Sequence, residues 1–96
     1  MADTAMKDLE DFAITYRDDE IVVQRAVAAL DERRDGEPVV RLTLLVLDPA
    51  GDTWDVERVR GLRHALGQRA SELELPAVSL TLVPVSEAET VDAFAG

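Results

Sequence analysis

Three aspartates, Asp48, Asp52 and Asp55, fall within the eight-residue stretch DPAGDTWD, and their oxygen donors would suit a hard cation. A divalent ion such as Mg²⁺ takes oxygen ligands and keeps several waters, so a few carboxylates suffice to hold it. The stretch comes directly after the apolar run VVRLTLLVL, and a loop leaving the carboxyl end of a parallel strand is where open α/β sheets place their ligands. The spacing matches no defined metal motif, however, and each aspartate has an ordinary structural use. Asp52 or Asp55 can cap a following helix, and Asp48 with Pro49 and Gly51 can form a turn. Caps and a turn are the expectation here. A small-ligand or divalent-metal-dependent enzyme built on Asp48, Asp52 and Asp55 is the alternative.

Other chemistry is sparse. His64, the single histidine, has no acid, serine or cysteine at a spacing that builds a proton relay, and the chain contains no cysteine; it therefore lacks thiolate nucleophiles, disulfides and cysteine zinc sites. The glycines form neither a dinucleotide fingerprint nor a phosphate loop, so no cofactor is expected. Trp54, the only tryptophan, is a candidate partner anchor, since tryptophan is enriched at interface hot spots. With Asp55 as N-cap, Trp54 and Val59 also occupy the two positions of a hydrophobic staple, and that use is favoured.

The elements that must position these residues centre on a βαβ unit. Val40, Leu42, Leu44 and Val46 alternate along a strand over 39–47, whose second face turns apolar only at Leu45 and Leu47. A helix over 55–74 presents Val59, Leu62, Leu66, Ala70 and Leu73 on one stripe, with Gly61 and Gly67 on or near its solvent side. A second strand over 77–84 turns Val78, Leu80 and Leu82 inward. Two parallel strands joined through a helix lie in one sheet, and so small a sheet leaves edges to be covered.

The N-terminal part is ambiguous. Phe12, Ile14 and Tyr16 alternate as in a strand, while Leu9, Phe12, Ala13 and Tyr16 fall at helical spacing. A strand over 12–17 is the expectation, with a hairpin turning at Asp18 and Asp19 as second choice. Val23, Ala26, Val27 and Leu30 then predict an amphipathic helix over 20–34, stopped by Gly36 and Pro38. Ser86 and Glu89 form a capping box for a short helix over 87–94. Residues 1–8 and 95–96 are expected to be disordered, and 1–96 to form a single domain. The fold class is α/β, a two-layer sandwich.

Twenty acids against ten bases give a net charge of −10, and the helix over 55–74, with four of each, is the one neutral element. Such a field repels phosphate backbones and anionic lipid, so neither nucleic acid nor membrane is expected as a partner. The N-terminus is acidic without an apolar h-region, and a cytoplasmic location is expected. The run TLLVLDP, Thr43 to Pro49, resembles the phosphoacceptor strand of receiver domains. The chain departs from that family in lacking any lysine after Lys7, and the family is not assigned. If no third layer exists, Leu45, Leu47 and Val83 form an apolar patch that meets another chain. The expected function is therefore a small acidic interaction module, an accessory or regulatory subunit. Its expected partner is a basic protein or a second copy of itself, contacted through Trp54, Leu45, Leu47 and Val83.

Overall fold

A computed structural model of the chain describes residues 2–16, 18, 21–49, 51 and 53–90. Their order is α1 (Ala2–Thr15), β1 (Val23–Glu32), β2 (Pro38–Val46), α2 (Val56–Glu72), β3 (Val78–Pro84) and the 3₁₀-helix η1 (Val85–Thr90). The fold is α/β, with one mixed sheet in the order β1-β2-β3. β2 is antiparallel to β1 and parallel to β3, so the β2-α2-β3 crossover stands as its sequence pattern implied.

β2 organises the core. Val40, Leu42, Leu44 and Val46 are wholly inaccessible to solvent and point to one face, where they meet Leu9 and Ala13 of α1 and Leu62, Leu66 and Ala70 of α2. Burying an aliphatic side chain of this size contributes about 1.5–3 kcal/mol, so this face is the main source of stability. No helix among the described residues covers the other face, which makes two layers. Nor is any described helix long and apolar enough to cross a membrane.

The first two elements exchange types relative to expectation. Residues 12–15 end helix α1, in which Leu9 and Ala13 are fully buried while Phe12 and Tyr16 pack against the same cluster. The helical spacing of those four residues thus prevails over the alternation of Phe12, Ile14 and Tyr16, and Ile14 faces solvent. The helix also begins at Ala2, inside the stretch for which no order was expected.

The helix expected over 20–34 is instead β1, and a β-bulge accounts for the misleading pattern. Val23 pairs with Val46 and Arg25 with Leu45, leaving Gln24 as an extra residue in the register. The extra residue puts Val23 and Ala26 on the same inner face at a spacing of three, as a helix would. Beyond it, Val27 pairs with Thr43 on the outer face, and Leu30 at the hairpin end is 57% exposed. Gly36, read as a helix stop, belongs to the turn of a β-hairpin. There the Arg33 amide donates to the Glu37 carbonyl at 2.8 Å and the Gly36 amide to the Arg33 carbonyl at 2.9 Å. Gly36 has φ +87°, the left-handed conformation that closes such a three-residue loop.

The helix α2 begins as expected, with the Asp55 carboxylate accepting from the Glu57 amide at 2.8 Å. It ends in a Schellman motif: the Leu75 amide donates to the Ala70 carbonyl at 2.9 Å and the Glu74 amide to the Ser71 carbonyl at 3.0 Å. Gly67 faces open space, and a methyl at Gly61 would make ordinary contact with the Tyr16 hydroxyl at 3.6 Å. The C-terminal helix expected over 87–94 is met by a 3₁₀ turn at 85–90, and residues 91–94 lie outside the described residues.

Glu74 occupies the position after the α2 cap with φ +60°, where a β-carbon is unfavourable and glycine is preferred. Glu74→Gly is therefore expected to stabilise the protein by about 0.5–1 kcal/mol, as a higher urea midpoint at unchanged slope.

Candidate functional site

The carboxyl end of the sheet is where β2 hands the chain to the 48–55 loop and β3 hands it to η1. Asp48 ties these two exits together by accepting from the Ser86 amide at 3.0 Å. The Ser86 hydroxyl, its amide and the Val85 amide stabilise the charged carboxylate more than partial desolvation opposes it, so the Asp48 carboxyl lies below its ordinary 3.8. Asp55 is engaged at the start of α2, and Asp52 lies outside the described residues. Two of the three candidate cation ligands thus hold backbone amides. Among the described residues no group of three His, Cys, Asp or Glu side chains is arranged to hold a metal.

Trp54 is half-buried at the end of β2. Its indole Nε1 donates to the Leu47 carbonyl at 3.1 Å, and its half-buried ring packs, as Val59 does, against the core cluster. The ring thereby fixes the loop to the end of β2. Leu45 is half-buried on the bare face, and Leu47 is 39% exposed. Val83, the fourth residue of the expected patch, is 5% exposed and offers little to a partner; η1 packs back against β2 and β3 at this end.

Val22, Val56 and Val85 extend the patch. The Leu47 amide donates to the Val22 carbonyl at 3.1 Å, which brings Val22 alongside. Val85 comes directly after the last residue of β3, and Val56 opens α2 at the same end of the crossover. All of these are exposed. Val22 escapes sequence reading because it counts towards the helical stripe expected over 20–34, and only the strand assignment of β1 places it beside Leu47.

Arg58, Arg60 and Arg69 of α2 act within the chain. Arg60 pairs with Glu57 at 3.2 Å and Arg69 with Glu72 at 3.1 Å, the local pairs that the spacing allows. Arg69 also bonds Asp8 of α1 at 2.7 Å and lies 5.8 Å from the Phe12 ring centre, while Arg58 reaches Asp18 at 2.8 Å. The Arg69 guanidinium is held in its charged form chiefly by the Asp8 carboxylate. His64 is exposed on the outer side of α2. No protein-family model matches the chain, and neither does any curated protein or solved structure.

A carboxyl whose folded pKa is depressed contributes stability above its unfolded value and loses it as pH falls through the lower folded value. The Asp48 tie should therefore be complete above pH 3.8 and release below it. Hydrogen exchange should show the Ser86 amide losing protection in that acid range, and Asp48→Ala should remove the protection already at neutral pH.

Proposed function

We propose that this chain is a small acidic interaction module, an accessory or regulatory subunit of the cytoplasm, that associates with a second copy of itself through the carboxyl end of its sheet. One observation carries the reading: Val22, Leu47, Val56 and Val85 are exposed together at that end, beside the half-buried Leu45 and Trp54. Of the large apolar side chains that remain exposed among the described residues, only Leu30 and Ile14 lie apart from this group. Exposed apolar side chains gathered into one surface mark sites of association.

The bare face of the sheet supports the same reading. The half-buried Leu45 of β2 stands there with Val83 of β3 paired to it, and although Val39, Thr43 and Val83 are already buried in the monomer, a second sheet laid on this face would cover Leu45 and the exposed Thr81. The absence of cysteine from the chain fits a reducing compartment. The net charge of −10 opposes close approach of two copies, so association should strengthen as salt screens that repulsion.

Sedimentation equilibrium over a wide concentration range tests the proposal. The wild-type chain should form dimers. Leu45→Asp or Leu47→Asp should weaken dimerisation tenfold or more, roughly 1.4 kcal/mol, while Leu30→Asp at the opposite end should leave it unchanged. A chain that stays monomeric throughout overturns the reading.

A further inference from the structure

The opposite end of the sheet has a different chemistry. A cleft of about 650 Å³ opens beside the β1–β2 hairpin, and four guanidinium groups border it: Arg33 and Arg34 of the turn, Arg41 of β2 and Arg63 of α2. Arg41 pairs with Asp31, which shares the wall with Glu32. Among the described residues no ion pair or hydrogen bond holds the side chains of Arg33, Arg34 or Arg63. In a chain with twice as many acids as bases, three such arginines converging on one cleft are available to an outside anion.

The cleft also includes Val78 and Leu80 of β3, and β3 is an edge strand. The Ala77 carbonyl accepts from the Val40 amide at 2.8 Å, so the backbone groups of Ala77 and of every second residue after it face β2. Those of Val78, Leu80 and Leu82 consequently face outward. β3 carries no charge and no proline before Pro84, so it lacks those two guards against strand addition. The other edge is guarded: the Glu10 carboxylate of α1 accepts from the Ala28 amide of β1 at 2.7 Å.

We propose that the β3 edge and the arginine-bordered cleft together dock an extended acidic segment of a partner protein, which adds to β3 as a fourth strand and sets carboxylates against Arg33, Arg34 and Arg63. A polypeptide fits better than a free phosphate. The guanidinium groups come from a turn, a strand and a helix rather than from one cradle, and neither a glycine-rich loop nor a helix N-terminus lies among them. The exposed backbone of β3 repeats every second residue, as an added strand requires. Because this site lies at the hairpin end, its success or failure is separable from self-association at the carboxyl end.

The test uses a fluorescent eight-residue peptide of alternating glutamate and valine, its glutamine-for-glutamate twin, and inorganic tripolyphosphate as competitor. The glutamate peptide should bind the full chain, weaken as salt is raised, and protect the Val78, Leu80 and Leu82 amides from hydrogen exchange. Arg34→Glu with Arg63→Glu should weaken it at least tenfold, whereas Arg60→Glu and Leu47→Asp should not. The inference is overturned by equal binding of the glutamine twin, by binding that survives the double variant, or by binding without protection of β3. Displacement by tripolyphosphate at concentrations below those of the peptide would show a general anion site and overturn it as well.

Discussion

Everything in this fold derives from the need to keep water from one face of one strand. Val40, Leu42, Leu44 and Val46 are completely buried, and no other stretch of the chain concentrates so much apolar surface. A chain of this size has little core to spare, because small domains bury a smaller share of their surface than large ones. Both helices are therefore committed to the same side. Their contact with each other is reinforced by Arg69, which reaches from α2 to Asp8 and to the face of Phe12. The outer face of the sheet is left without a helix as a direct result, and the properties of that face become the properties of the protein's surface.

The parts of this arrangement that were legible in advance are those whose sequence period and local chemistry agree. In β2 the strict alternation of Val40 to Val46 coincides with β-branched and leucine content. In α2 the stripe from Val59 to Leu73 begins at an aspartate cap and ends at a left-handed residue. The Asp55 cap could be placed without coordinates because it depends only on residues a few positions apart. The N-terminal third gave conflicting signals. Phe12, Ile14 and Tyr16 mimic a strand within a helix, and the bulge at Gln24 makes Val23 and Ala26 mimic a helix within a strand. β1 is also rich in alanine, a residue disfavoured in strands, and only pairing along the whole of β2 overrides that preference. No window confined to residues 20–34 contains that information.

The candidate site obeyed the same division. Asp55 was recognisable as a cap residue, whereas Asp48, expected in a local turn, accepts from Ser86, 38 positions along the chain. Burial of Val83 likewise depends on the return of η1 against β2 and β3, and the exposure of Val22 on the strand assignment of β1. Long-range pairing of this kind is invisible to spacing, so which apolar residues at the carboxyl end are exposed is decided by the fold.

The two ends of the sheet differ because the chain crosses them differently. At the carboxyl end three connections meet, from α1 into β1, from β2 into α2 and from β3 into η1. Such crossings need anchors, and the half-buried Trp54 and Leu45 and the exposed Asp48, through its bond to the Ser86 amide, supply them. At the other end the tight hairpin at Arg33–Gly36 needs only a glycine and polar residues, so charge can collect there without disturbing the core. A net charge of −10 would favour acids settling beside such a cluster, yet the acids of α1 and the loop after it pair with Arg58 and Arg69 across the helical layer. The helices thereby draw carboxylates to the covered side of the sheet, and Arg33, Arg34 and Arg63 stay without an ion pair among the described residues although Asp31 and Glu32 share their cleft.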